Sequence, residues 1–441
     1  MKITFRQSRK DPQETVEWSH NHDGTSNKNG DGVKNGGPLG ALFFTVFFTG
    51  YIYFVVEKCN SGQWNLFRWP QFPTLTEDYI DIEAVLICLV WFMVQCILYI
   101  LPIAGQIEKG LPLKESGQSL QYRLNALFVL MLNISGFVFA ELLGFRVSTL
   151  SKKLLQLTTA GVILILFISS MLYVKAYWVS NLNLNRHGNT GNVFYDWFQG
   201  RELNPRWWFL DLKYVCFRSG IIGWVMLNLV NIVKAYEEGK GHPTYNLILV
   251  FGMQLTYVVD CFWFEDALLV SRDIVHEGLG YNLLVQFLMI PFCFAVQTRY
   301  LLQTKFILPW YTLTGIFILY FTGYIIYRDS NQQKNNFRKN PNSPSVSHLE
   351  SMPTASGKSL LVGGWWGLCR HPNYLGDIII SISYALPTGL NHFLPYMGSL
   401  FLILLLIDRE SRDYAECKRK YGSDWDRYCS RVKYRIIPYI Y

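Results

Sequence analysis

Long apolar runs constrain this chain more than any other feature of it. A helix needs about 20 mostly apolar residues to cross the hydrocarbon of a bilayer, which is about 30 Å thick. Gly40–Val56, Ala84–Ile103, Leu124–Leu143, Leu154–Val174, Gly220–Val233, Tyr245–Phe264, Tyr281–Gln297 and Leu308–Tyr327 meet or approach that requirement. Two shorter runs, Ile378–Leu386 and Phe393–Ile407, flank Pro387-Thr388-Gly389-Leu390-Asn391 and read as a helical hairpin. The expected fold class is therefore an all-α polytopic membrane protein of about ten spans. With half its residues apolar and only 16% charged, the chain does not read as a soluble protein.

The net charge of +8 does not point to nucleic acid, because of where the charges lie. Basic residues gather in the N-terminal tail, Lys109–Arg123, Lys175–Arg218, Arg328–Arg370 and the C-terminal tail. With ten spans these segments share one side, which the positive-inside rule makes cytoplasmic. The acid-rich Glu57–Glu83 loop then faces the lumen, and the loop carrying Arg146, Lys152 and Lys153 runs against the rule. Nine cysteines, mostly in or beside apolar runs and without a CxxC pair, fit reduced thiols and no metal site. Residues 1–38 form a polar tail, expected to be disordered, with no cleavable signal. Residues 39–441 read as one membrane domain.

The most distinctive sequence lies in the non-spanning stretches. Gly200-Arg201-Glu202-Leu203-Asn204-Pro205-Arg206 follows an aromatic segment, and on physical grounds alone it is an interfacial loop meeting lipid headgroups. Lys334 and Arg338 stand at i and i+4 just past a span, so a continuing helix puts both on one face. They could clamp a phosphate, or simply touch anionic lipid. In Gly363-Gly364-Trp365-Trp366-Gly367-Leu368-Cys369-Arg370-His371-Pro372-Asn373-Tyr374, glycines allow close backbone approach. Trp366 and Tyr374 offer flat faces there, and Arg370, His371 and Asn373 offer polar contacts. Pro372 forces a turn or a helix start. The tail from Asp408 to Tyr428 alternates in charge as a solvated helix does, with Gly422 as its C-cap, and reads as a folded cap. No GxGxxG follows a strand. Spacing alone supports a membrane enzyme with an anionic, ring-bearing cofactor at the cytoplasmic face.

Taken in this order, these stretches resemble the sterol reductase family, which includes Δ14-sterol reductase, 7-dehydrocholesterol reductase and the membrane domain of the lamin B receptor. The resemblance runs from about residue 37 to 441, and the ending Tyr434–Tyr441 is most like the Δ14-reductase and lamin B receptor branch. It implies an NADPH pocket in the C-terminal half, about residues 245–441. In that pocket Lys334 and Arg338 hold phosphate, Leu361 and Trp366 pack the cofactor, and Asn373 and Tyr374 lie near the nicotinamide. Asp413, the run Cys417, Lys418, Arg419, Lys420 and Tyr421, and Tyr428 complete it. The implied reaction is reduction of a sterol C14=C15 bond by proton, then hydride. The resemblance also implies a sterol substrate, surrounding membrane lipid, and the endoplasmic reticulum or inner nuclear membrane as location. Lamina or chromatin contact belongs only to an alternative, lamin-B-receptor-like role with little catalysis.

An unactivated alkene must be protonated before hydride can add, so a buried acid is expected beside the sterol. Tyr257, Asp260, Glu265 and Asp266 lie on or at the end of one span, where ionisable groups are functional suspects. Asp260 is the candidate acid or its support, and Tyr257 the relay. The chain departs from the family at Phe217-Arg218-Ser219-Gly220, where Glu-Leu-Arg-Pro-Gly is usual, within Tyr281–Ile290, and at Asp408. Arg370-His371-Pro372-x-Tyr374 also resembles a motif of isoprenylcysteine carboxyl methyltransferases.

Overall fold

The computed structural model describes residues 36–113, 117–179, 184–239 and 242–441; apart from residues 36–38, the expected disordered tail lies outside them. Among the described residues, seven helices are long and apolar enough to cross a membrane: Gly37–Ser61, Thr76–Ile100, Leu154–Trp178, Leu212–Glu238, Tyr245–Trp263, Tyr281–Thr304 and Trp310–Lys339. Ala126–Leu142 is a shorter apolar helix. The remaining two expected spans appear as a 14-residue helix, Pro372–Ala385, and the apolar first part of Met397–Tyr421.

In chain order the helices are α1 (Gly37–Ser61), α2 (Ile82–Ile100), α3 (Ala126–Leu142), α4 (Leu154–Lys175), α5 (Val193–Gln199), α6 (Leu212–Glu238) and α7 (Tyr245–Trp263). They continue as α8 (Arg272–Val275), α9 (Tyr281–Phe294), α10 (Val296–Thr304), α11 (Trp310–Lys339), α12 (Trp365–Leu368), α13 (Pro372–Ala385), α14 (Met397–Tyr421) and α15 (Ser423–Arg431). The described strands form three small antiparallel hairpins: β1 (Gln106–Pro112) with β2 (Ser119–Leu124), β3 (Arg206–Trp207) with β4 (Leu210–Asp211), and, in the C-terminal half, β5 (Ser351–Pro353) with β6 (Ser359–Leu361).

Helix starts follow local chemistry. Asp81, Asn192 and Asp211 each cap a helix by accepting from a backbone N–H in its first turn. The α6 helix begins eight residues before the expected Gly220, because the apolar pattern does not reveal its first turns. Lys213 is wholly buried there, and its Nζ donates to the carbonyls of Asp273 (3.0 Å), Ile274 (2.7 Å) and Glu277 (2.8 Å). The expected span Tyr281–Gln297 is two helices, parting at Ala295 after Pro291. Proline removes a donor and loosens the turn. The Phe294 carbonyl is taken by Trp224 Nε1 (3.0 Å) and Gln254 Nε2 (3.1 Å).

Arg218 finds its acid across the bundle in Glu265, 3.6 Å away and also buried. Tyr214 OH (2.7 Å) and Ala126 N (2.8 Å) donate to the same carboxylate.

Two glycines position the C-terminal half. A Cβ on Gly376 of α13 would meet Tyr327 N at 2.5 Å and Gly323 O at 2.8 Å. One on Gly323 of α11 would meet Ile379 Cγ2 at 2.7 Å. Small residues at a crossing let helix backbones approach closely, so α11 and α13 lock together. The carboxyl end of α11 is thereby held against 366–374. The chain end then closes over this region. Arg370 N and His371 N donate to Tyr434 O (2.9 Å) and Arg435 O (3.0 Å), and Arg435 reaches the buried Glu410 at 3.0 Å. The expected folded cap, with Gly422 ending α14 at φ 55°, is present.

Candidate active site

A cavity of about 1020 Å³ opens at the carboxyl ends of α11 and α14. One wall is α11, which runs on unbroken to Lys339, so Lys334, Phe337 and Arg338 share its face. Lys334 Nζ lies 4.3 Å from the centre of the Trp366 ring, within range for cation–π attraction. Trp366 is fixed by its own Nε1, which donates to Ser330 O at 2.9 Å. Leu361, at the end of β6, adds an apolar patch.

The opposite wall is α14 with α15. Asp413, Glu416, Cys417, Lys420 and Tyr421 line the cavity, at the spacing of one face of a 3.6-residue helix. Lys418 instead pairs with Asp426, and Arg419 is exposed. The helical period thus splits the run 417–421, which sequence reading had taken whole. Tyr428 stacks on Trp425 with centroids 4.9 Å apart, giving an aromatic floor.

Arg370 and His371 also line the cavity. Burial, with Lys334 and Arg370 nearby, pushes His371 down from its ordinary 6.5 to about 3, so it is neutral. Its ring stacks on Tyr374 at 4.7 Å, and Tyr374 OH donates to Asp413 at 3.3 Å. Asn373 is on the same turn, and its Oδ1 is buried without a partner among the described residues. Four cations (Lys334, Arg338, Arg370, Lys420) and two acids (Asp413, Glu416) line the cavity together with aromatic side chains. That donor set fits an anionic ligand with a flat ring system, and the orphaned Asn373 oxygen fits an amide donor.

The two candidate catalytic residues are separated in use. Asp260 accepts from Tyr324 OH at 2.7 Å and sits 3.4 Å from Arg328 Nε. Tyr257 OH points elsewhere, donating to Asp377 Oδ1 at 3.4 Å. Asp377 is one turn beyond Asn373 on α13 and had not been singled out from the sequence. The rings of Tyr327 (6.2 Å) and Tyr384 (6.4 Å) pack against Tyr257, and the Tyr384 hydroxyl is buried with no partner among the described residues. Among unpredicted lining residues, Phe337 and Glu416 carried a sequence signal, each three positions after a predicted residue (Lys334, Asp413) on the same helix face, while Arg370 and His371 lie in the segment already read for its polar contacts.

A multi-span helical bundle with a cationic, aromatic pocket at one end, next to a buried tyrosine–carboxylate pair, defines a multi-pass membrane protein whose pocket has the donor chemistry for an anionic ligand. The ergosterol biosynthesis ERG4/ERG24 family model matches residues 28–441, and the chain belongs to that family. It is 40% identical over 408 residues to a Delta(14)-sterol reductase of Mus musculus, covering 92% of this chain and 97% of that protein. It is 35% identical over 411 residues to Delta(14)-sterol reductase erg24 of Schizosaccharomyces pombe, covering 92% of this chain and 96% of that protein. Delta(14)-sterol reductase LBR of Gallus gallus is 39% identical over 405 residues, and there the match spans 63% of the avian protein.

Proposed function

We propose that this protein is an NADPH-dependent Δ14-sterol reductase of the endoplasmic reticulum or inner nuclear membrane. On this reading α3, α13 and the apolar part of α14 complete a bundle of ten spans. The observation that carries the reading is the pairing of two features: a cationic aromatic pocket, and a tyrosine–carboxylate pair one helical turn past Asn373. Lys334 and Arg338 take phosphate charge, Trp366, Leu361, Tyr421 and Tyr428 hold the rings, and Asn373 orients the amide. Asp413 fixes Tyr374 at the same end. Cys417 and Lys420 complete the wall, while Lys418 and Arg419 contribute long-range charge only. NADPH, when bound, supplies the hydride.

The remaining work falls to the chain. Protonating C15 of the C14=C15 bond would leave a tertiary cation at C14, the centre that the cofactor's hydride would fill. Tyr257 is the proton carrier, and Asp377 receives its hydrogen bond and can return a proton to it. Asp260 acts at one remove, holding Tyr324 and Arg328 on α11 in place. The cluster of Tyr257, Tyr327 and Tyr384 excludes water from the cation, which water would trap as an alcohol.

The test is turnover of a Δ8,14-sterol by the purified protein with NADPH. Tyr257→Phe should lower kcat by about 10²- to 10⁴-fold, the usual worth of a positioned acid, and leave the NADPH KM in place. Tight NADPH binding without turnover of Δ14 or Δ7 sterols would exclude the reductase and favour a non-catalytic membrane scaffold.

A further inference from the structure

A second built site lies at the opposite end of the bundle, around Arg299 on α10. Side-chain contacts fix which end that is. Lys213, at the start of α6, meets the carbonyls just ahead of α9, and Asp260, near the end of α7, meets Tyr324 and Arg328 toward the end of α11. The starts of α6 and α9 therefore share an end with Lys334 and Arg338. The ends of α6 and α10 lie away from it.

Arg299 is only 7% exposed. Its Nη2 donates to Ser151 O at 3.1 Å, but Nε and Nη1 are buried with no partner among the described residues. Glu238, the acid near it, is paired with Lys234 at 3.9 Å. A buried guanidinium with two donors unsatisfied is costly unless an acceptor or counter-ion meets it. The side chain lines a cavity of about 350 Å³ with Cys59, Ser151, Leu154 and Asn231.

That cavity adjoins a larger one of about 1030 Å³, since Leu227 and Phe292 line both. From Arg299 the lining steps in the same direction along three helices. It passes from Leu154 to Ile168 on α4, from Asn231 to Cys216 on α6 and from Phe292 to Leu284 on α9. On α4 this stretch is about 20 Å long at the helical rise, which suits a long acyl chain. The larger cavity is almost wholly apolar, and half-buried Ile87 and Trp91 of α2 form its outer wall. It shares no residue with the cationic pocket.

We propose that this slot binds an anionic lipid, with its carboxylate or phosphate against Arg299 and its acyl chain between α4, α6 and α9. A neutral sterol could fill the slot but would leave the guanidinium without a counter-ion.

The test uses the full-length protein in neutral detergent and measures binding of oleate and of dioleoylphosphatidylglycerol, with oleyl alcohol and cholesterol as neutral controls. The anions should bind about tenfold or more tightly than the neutral controls, as expected for one charge-assisted contact. Arg299→Gln should erase that preference and Arg299→Lys retain it. Gly223→Leu, which fills the slot next to Pro291 and leaves Arg299 intact, should block uptake while preserving the unfolding transition. Binding of oleate alone identifies a fatty acid and binding of the phospholipid alone identifies its phosphate; either supports the site. Neutral probes binding as tightly as the anions, or anion binding that survives both Arg299→Gln and Gly223→Leu, would overturn it.

Discussion

At the scale of single residues, the site is a matter of which side chains the helical period turns inward. Lys334 and Arg338 were legible as a pair because α11 continues past its apolar run, so their i, i+4 spacing applies. The run 417–421 was legible as a site but not residue by residue. Lys334→Ala should raise the NADPH KM about 10- to 100-fold, the worth of a charged hydrogen bond, and Lys418→Ala should leave it within about twofold. Equal effects in steady-state kinetics would refute the division of that helix into two faces. Asp377 could not be read from sequence, since its partner Tyr257 is 120 positions away. His371 carries a pH signature. Its depressed value means that, below about 6.5, the unfolded chain binds a proton the folded one refuses. Stability should therefore fall as pH drops from 6.5 toward 3, by at most about 1.4 kcal/mol per unit. Unfolding midpoints at pH 7.5 and 5.5 should differ less in His371→Gln than in the parent, and an unchanged difference would contradict this.

Among elements, the crossing of α11 and α13 sets the spacing of the whole pocket. Lys334 and Arg338 stand on one helix, and Asn373, Tyr374 and Asp377 on the other. Gly376→Ala would drive a methyl to within 2.5 Å of the Tyr327 amide, where only backbone could yield. Overpacking of that kind costs about 1–3 kcal/mol. It should lower the unfolding midpoint and, by separating the helices, raise the NADPH KM. Gly315, on the same α11 helix, has open space about it, so Gly315→Ala should do neither. The apolar helices themselves were evident from the sequence because hydrocarbon demands long apolar stretches. What it concealed were the buried polar turns: the start of α6 behind Lys213, and the break between α9 and α10.

At the scale of the molecule, the question is whether the short α13–α14 hairpin crosses the bilayer. By length alone a 14-residue helix does not. Its contacts argue that it does. Pro387 O, at the tip, accepts from Asn246 Nδ2 at the start of α7 (2.8 Å), and His392 Nδ1 meets Tyr300 OH near the end of α10 (2.9 Å). Those are the ends of α7 and α10 remote from Lys334. The hairpin therefore traverses the same thickness as the longer helices, with the turn at Leu386–Thr388 extending α13. Leu390 at the tip is 84% exposed and Lys358, between β5 and β6, is also exposed. In sealed microsomes an impermeant maleimide should label Lys358→Cys at once and Leu390→Cys only after permeabilisation. Labelling of both from outside would place the hairpin tip on the cofactor side and leave the bundle two spans short. The predicted pattern would put the cationic pocket and the Arg299 slot on opposite membrane faces. The two sites would then meet different aqueous compartments while sharing the same helices.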